Sequence, residues 1–324
     1  MITLERVGKE EWVDIFGKSE QVTIFHRWEW LKIVEKHTGF KFIPLVAFKG
    51  SKPIALYPIF LKHKLAFSPP PKSLLLYLGP AFVDYSNLKQ SKRETMHHEV
   101  QKCVDEYLKE SGCVFFRVRT IPELPDCRPL KWNGYEIDPL YTYRIDLKGG
   151  LNSVWKNLNR KLRVGIEATR KRGIKIDMGD YDDLRELRRL LHGRFVEQGL
   201  SKRDRYEGYL KDLYSSFQEN MRIFVARMNG EVVGGLVVLS HRNWSGLWIG
   251  IPKINIKGVY PNDLAQWMAI TWACEEGYEI YEEMDAGLER FRHFKAKYNP
   301  KAVPWFSGER FYGLLGRLLR VFRR

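Results

Sequence analysis

Cysteine is scarce in this chain: Cys103, Cys113, Cys127 and Cys274 are the four in 324 residues. No two form a C-x-x-C pair and no histidine cluster stands beside them, which argues against a zinc site. Cys103 and Cys274 fall in helical patterns and Cys113 in a strand pattern, where cysteine acts as a small hydrophobe. A reduced, intracellular setting is expected. No uninterrupted apolar run approaches the length that spans a bilayer. Met1-Ile-Thr-Leu-Glu-Arg lacks the basic-then-apolar order of a signal segment. Acid is also in deficit, with 39 Asp+Glu against 54 Lys+Arg and a formal net charge of +15. Such an excess suits an anionic partner (nucleic acid, a phosphorylated substrate or an acidic lipid surface) or simply a basic, solubilising surface. What is plentiful is core material: 44% of residues are hydrophobic and 14% aromatic, against global disorder. The length allows two domains of ordinary size.

An internal echo organises the chain as α/β. In the first half, Trp28–His37 reads as a short helix. Strand patterns follow at Phe42–Phe48 and Pro53–Leu61, joined at Lys49-Gly50-Ser51, then an apolar run at Ser73–Leu78. A long helical pattern, Ser91–Glu110, stops at Gly112 before a strand at Cys113–Arg119, since glycine accepts the left-handed conformation past a helix end. The second half repeats the order: helices at Tyr181–Glu197 and Asp204–Gln218, strands Arg222–Arg227 and Val232–Ser240 around the hairpin signal Asn229-Gly230, a strand at Ser245–Ile251, a helix at Asn262–Glu276 ended by Gly277, and a strand at Tyr278–Met284. The shared order suggests a duplicated unit. Pro122, Pro125, Pro129 and Pro139 mark the join, giving domains at 1–139 and 140–324. Tyr141–Leu147 alternates like a strand, and a helical insertion at 152–172 follows that the first half lacks.

Two stretches carry candidate chemistry. In the insertion, Leu158, Leu162, Ile166 and Thr169 share a helical face, while Arg160, Lys161, Arg163, Arg170, Lys171 and Arg172 populate the rest with Glu167 as the lone acid. A helix this cationic suits phosphates, an RNA backbone or a membrane surface, and its near lack of acids leaves few i,i+4 pairs for a solvated face. The second stretch is Glu283-Met-Asp-Ala-Gly-Leu-Glu-Arg-Phe-Arg-His-Phe-Lys-Ala-Lys-Tyr-Asn-Pro. A strand ending at Asp285-Ala-Gly opens onto an irregular basic-aromatic segment, the kind of place where α/β folds set their sites. Lys295 could stabilise an oxyanion or hold a phosphate. His293 is a conceivable base, though a lone histidine more often packs or caps. Trp244, Trp248 and Trp267 read as core. Tyr77 and Gly79 end a first-domain strand that could line an acceptor cleft.

Three stretches carry a family resemblance: Phe25-His-Arg-Trp-Glu-Trp-Leu-Lys, Asn159-Arg-Lys-Leu-Arg, and the block Trp272–Tyr298 with Gly277-Tyr278, Asp285-Ala-Gly287 and Phe294-Lys295. In this order and spacing the chain resembles the FemABX-like and BioF2-like (CelD-type) acyltransferases of the GNAT superfamily. The resemblance implies an α/β (α+β) fold of two tandem GNAT-like domains, and transfer of an acyl or aminoacyl group to an amine without a covalent enzyme intermediate. It implies Lys295 and Asp285 as catalytic, the aspartate positioning Lys295 or the amine. It implies Arg160, Lys161, Arg163, Phe294, Tyr298, Trp30 and Tyr77 as substrate-binding, with tRNA along Asn159–Arg163. No metal and no tightly bound cofactor is implied; the co-substrate is aminoacyl-tRNA or acyl-CoA. The acceptor is an anionic molecule such as a cell-envelope precursor, and the setting cytoplasmic, at the inner face of the membrane if lipid is engaged.

Two departures stand out. GNAT enzymes using acetyl-CoA carry a Q/R-x-x-G-x-G/A loop whose N–H groups cradle pyrophosphate at a helix N-terminus; here the matching stretch is Lys253-Ile-Asn-Ile-Lys-Gly-Val-Tyr-Pro-Asn, with Gly258 alone. The peptidoglycan-building branch often has lysine one turn past the first-domain tryptophan, where this chain has Val34, with Lys32 and Lys36 nearby. A CoA-dependent N-acetyltransferase and a noncatalytic RNA- or membrane-binding protein therefore stay open as alternatives. Finally, the tail at 310–324 interleaves apolar residues with arginines and has no acid after Phe311, a pattern for lying on an anionic bilayer or for a docking helix with a basic end.

Overall fold

The computed structural model describes residues 1–62, 66–197, 207–250, 258–287 and 289–322. In chain order the elements are β1 (Ile2–Arg6), α1 (Lys9–Lys18), α2 (Trp28–Thr38), β2 (Lys41–Lys49), β3 (Lys52–Leu61), β4 (Ala66–Phe67), β5 (Ala81–Phe82), α3 (Gln90–Glu110), β6 (Cys113–Arg119), α4 (Arg128–Trp132), β7 (Glu136–Asp146), α5 (Gly150–Asn157), α6 (Arg160–Lys171), β8 (Lys175–Met178), α7 (Tyr181–Glu197), α8 (Glu207–Ser216), β9 (Met221–Met228), β10 (Glu231–His241), β11 (Trp244–Gly250), α9 (Pro261–Glu275), β12 (Ile280–Glu282), α10 (Glu289–Lys295), β13 (Lys301–Phe311) and α11 (Gly313–Phe322). The chain divides into two units, one of Met1–Leu140 with Pro304–Arg324 and one of Tyr141–Val303.

The first unit holds an antiparallel sheet in the order β1-β2-β3-β5, and a second ladder in which β6 pairs parallel with β4 and antiparallel with β13. Aromatics fill its core: Trp12, Phe25, Trp30, Tyr57 and Phe60 are all sealed from solvent. A buried polar network fastens α3 to the end of β13. Asp105 accepts from the hydroxyls of Tyr135 and Tyr312 at 2.6 Å each and pairs with Arg310.

The second unit carries a mixed sheet in the order β7-β12-β11-β10-β9-β8. The β9–β10 turn has both Asn229 (φ 52°) and Gly230 (φ 85°) left-handed, the requirement that makes Asn-Gly a hairpin signal. Helix α9 is buried nearly all round. Leu264, Trp267 and Ile270 on it share one core with Leu158, Leu162 and Ile166 of the α5–α6 stretch and with Phe224, Leu236 and Tyr281 of the sheet. The apolar face expected for the insertion is therefore what seats it.

Several expectations shift. Ser73–Leu78 forms no strand: a bounding Pro69-Pro70-Pro71 and Pro80 leave a buried loop with one bridge, Leu78 to Arg119. The helical insertion is made of two helices that meet at Leu158-Asn159. β7 starts at Glu136 and runs through Pro139, and Pro129 sits in the first turn of α4, where its missing N–H costs nothing. The segment after Asp285 holds a short helix, α10, where irregular backbone was expected. The terminal residues from Pro304 group with the first unit, because β13 pairs along β6 from Ser307↔Arg119 to Phe311↔Phe115. β1, α1 and β13 were not expected. Of the helix read at Asp204–Gln218, residues 204–206 lie outside the described residues.

Candidate active site

The site begins where two strands part. β11 and β12 pair parallel for only three residues, ending at Gly246↔Glu282. Past that point β11 stays with β10 through Gly250, whereas the chain after β12 stays with β7: the Glu283 amide donates to Tyr143 O at 2.8 Å and the Ala286 amide to Tyr141 O at 2.9 Å. The main chain of Glu283–Asp285 thus loses its β11 neighbour.

Lys295 answers that loss. Its ammonium donates to the carbonyls of Glu283 at 2.6 Å, Met284, and Asp285 at 3.1 Å. Three acceptors match the three donors of an ammonium on a residue only 7% exposed. Asp285, left-handed at φ 58°, meets Lys295 through its main-chain carbonyl. Beyond α10, Tyr298 is buried with its hydroxyl 3.4 Å from Asp263 O. Half-buried Phe294 has the Lys297 ammonium 4.4 Å over its ring, and His293 is exposed.

Side chains alternate across a strand, so Glu282 and Glu283 face opposite ways. Glu282 accepts from Thr142 Oγ1 at 3.0 Å, Arg144 Nε at 2.8 Å and Trp244 Nε1 at 3.0 Å. Glu283 points to the same face as Tyr281, toward α9. Among the described residues neither of its carboxylate oxygens has a hydrogen-bond partner, nor does the Tyr281 hydroxyl or either amide atom of Gln266. Burial pushes the Glu283 carboxyl up to about 8, against the pull of the Lys295 and Lys297 charges and of neighbouring Gln266. Glu283 was missed in the sequence as a site residue. Its signal was the adjacent pair Glu282-Glu283 in the strand pattern Tyr278–Met284, since alternation turns consecutive residues to opposite faces of the sheet.

The insertion meets this segment. The Asn159 amide donates to Lys297 O at 3.0 Å, and its side chain caps α6 by accepting from the Lys161 amide at 2.9 Å. At the other end of α6, Thr169 Oγ1 accepts from the Tyr260 amide at 2.9 Å, just before α9. Helix α6 is thereby fastened to both the Lys295–Tyr298 turn and the α9 start. Its outer side lines an open groove of about 500 Å³ with Trp155, Arg160, Arg163, Glu167 and Lys171. Arg163 Nε is buried without a partner among the described residues. Lys161 is exposed and outside the groove lining. The Trp155 and Trp267 rings meet at a tilt of 53° with centroids 4.7 Å apart.

The start of α9 is a poor anion cradle. Residues 253–257 of the stretch compared with the pyrophosphate loop lie outside the described residues. Downstream of them, Pro261 has no N–H, the Tyr260 amide is taken by Thr169, and the Asp263 and Leu264 amides donate to Tyr260 O at 3.1 and 3.2 Å. Asp263 adds negative charge to the first turn and pairs with Lys297. The Arg172 guanidinium occupies the place a side chain at Gly258 would take.

Two predicted substrate residues are core of the first unit. Trp30 is sealed from solvent and donates Nε1 to Leu74 O at 3.0 Å. Tyr77, 2% exposed, packs edge-on against Phe25 and Trp305.

A parallel strand pair that opens beside a buried helix, as β11 and β12 do beside α9 in the second unit, is the arrangement of the GNAT class of acyltransferase folds. Residues 152–295, most of the second unit, match the family model described as an acetyltransferase (GNAT) domain, so the chain carries a GNAT-superfamily acyltransferase domain. No curated protein sequence matches the chain. Among solved structures, FemX is similar with a TM-score of 0.73 at 12% identity, covering 99% of this chain and 100% of that one. A tandem GNAT protein from the clavulanic acid biosynthesis pathway gives 0.60 at 8% identity, covering 97% and 99%. L-PGS from Bacillus licheniformis gives 0.55 at 15% identity, covering 98% and 97%. At these identities the likeness shows the fold: mixed α/β, of the tandem GNAT kind.

Proposed function

We propose that the protein is an N-acyltransferase that moves an aminoacyl group from tRNA to the amine of an anionic acceptor, such as a cell-envelope precursor, in the cytoplasm. The observation that carries this is the opening between β11 and β12 with an unpaired buried carboxyl, Glu283, and a buried ammonium, Lys295, at its end. The amine nitrogen attacks the acyl carbonyl carbon. As the ester C–O bond breaks, the protonated Glu283 carboxyl gives its proton to the departing ribose oxygen, and the carboxylate left behind takes the surplus proton of the nitrogen. A carboxyl that titrates near neutrality suits both transfers. Lys295, aimed by three carbonyls, supplies a fixed positive charge for the oxyanion, and Asp285 helps hold it through its main chain.

The donor assignment rests on two features. In the first turn of α9 Pro261 has no N–H, the Asp263 and Leu264 amides bond to Tyr260 O and an acid is in place, which disfavours a CoA pyrophosphate. Arg160, Arg163 and Lys171 along the α6 groove, with Lys161 beside it, suit a phosphate backbone. The family model described as an acetyltransferase domain favours a second reading, acetyl-CoA-dependent N-acetylation. Incubating the protein and a lysate with either radiolabelled aminoacyl-tRNA or radiolabelled acetyl-CoA separates the two. Label passing from tRNA to a small amine supports the first; label from acetyl-CoA alone, with calorimetric binding of acetyl-CoA, replaces it with the second. Transfer from neither would leave a binding protein on this fold.

A further inference from the structure

The geometry points to α11 as a reversible anchor for an anionic bilayer surface. The helix presents its apolar side outward. Leu314, Leu315, Leu318, Leu319 and Val321 are 77%, 55%, 51%, 36% and 71% exposed, five of the thirteen large exposed hydrophobics among the described residues. At 100° per residue all five fall within an arc of about 160°.

What touches the first unit is the other side. Gly316 is buried, and a Cβ there would come 2.7 Å from Val114 O and 3.2 Å from the Phe311 main chain. Arg320, near Gly316 around the helix, pairs with Glu136. A helix that docks onto its own domain turns its apolar stripe inward; this one rests on its small and polar side.

Charge selects the occupant. From Phe311 to Arg324 the sequence has four arginines, at 317, 320, 323 and 324, and no acid. Arg317 flanks the apolar arc, placed to meet lipid phosphates while the leucines enter the acyl boundary. A second copy would bring the same cations against these on a chain of net charge +15, whereas anionic headgroups attract each basic residue. One such short helix gives only marginal binding, which suits reversible attachment.

The test is flotation of the full-length protein with vesicles. Wild type is expected to float with phosphatidylcholine vesicles that contain phosphatidylglycerol and to stay behind with phosphatidylcholine alone. Leu318→Glu/Leu319→Glu is expected to cut flotation at least about tenfold, with the thermal unfolding midpoint unchanged; Leu314→Glu/Val321→Glu is an independent second variant. Undiminished flotation in both variants would move the binding to another basic surface and overturn the assignment. Equal flotation with both vesicle types, or with neither, overturns it too. A dimer in sedimentation equilibrium that both variants dissolve would assign the face to a second copy instead.

Discussion

Glu282 and Glu283 are consecutive, both sealed from solvent, and turned to opposite faces of one strand. The first has three hydrogen-bond donors; the second is faced by the Gln266 amide alone, outside hydrogen-bond geometry among the described residues. A buried carboxylate so poorly satisfied is costly, so Glu283 keeps its proton to about pH 8. A fold tolerates such a group where chemistry uses it.

Glu283→Gln tests this in both stability and turnover. In the unfolded chain the carboxyl releases its proton at its ordinary value, far below 8. Between the two values the native state holds the extra proton, so the contribution of Glu283 to stability is full at low pH and is lost as pH rises through about 8. The glutamine variant has no such loss. Unfolding free energies of wild type and variant from urea titration should therefore diverge as pH rises from 5 to 9, with the variant ahead by roughly 2 to 4 kcal/mol at the top. Acyl transfer should fall about 10²-fold or more. Retained transfer would remove the proton-carrying role.

Glu282→Ala should behave in the opposite way. It strands Arg144, whose side chain is only 16% exposed, together with the Thr142 hydroxyl and the Trp244 indole N–H. Removing one partner of a largely buried pair costs about 3 kcal/mol or more. The urea midpoint should drop at every pH, without the divergence that marks Glu283. A midpoint within about 0.5 kcal/mol of wild type would show that the three donors find water instead.

Lys295→Met keeps the length of the stem and removes the charge. Three carbonyls then lose their donor, and each buried orphan acceptor costs on the order of 1 kcal/mol. If Lys295 only supports the strand end, turnover of the folded fraction survives. If it also stabilises the oxyanion, kcat falls about 10²- to 10³-fold with the donor KM little changed. Full turnover in a folded variant would end its catalytic role.

Much of the fold was legible because hydrophobic period and punctuation are local signals. The strand at Cys113–Arg119 has the bounds its pattern suggested, and the helix read from Tyr181 starts there. β13 was not legible: Lys301, Pro304 and Glu309 break its pattern, and its pairing with β6 at Ser307–Phe311 is long-range information that no local pattern carries. Lys295 stood out as a cation beside aromatics, but its three carbonyl partners depend on where β11 and β12 part, which no local pattern encodes. Trp30 and Tyr77 misled for the reverse reason, since an aromatic at a strand or helix end looks alike in a cleft and in a core.

The α6 groove offers the sharpest test of the donor. Arg160 and Arg163 lie a turn apart and line the same cavity, and the buried Nε of Arg163 has no partner among the described residues. If phosphates of a tRNA occupy the groove, each arginine displaces about one condensed counterion. Filter binding of tRNA across a potassium chloride series should then give a log–log slope smaller by about 1 for Arg160→Ala or Arg163→Ala, and by about 2 for the double variant. Lys161→Ala, outside the groove lining, should change the slope less. The groove variants leave Glu283 and Lys295 untouched, so their loss should appear in donor KM with kcat largely kept. An unchanged slope in the double variant would place the nucleic acid elsewhere, and with it the argument for a tRNA donor over CoA.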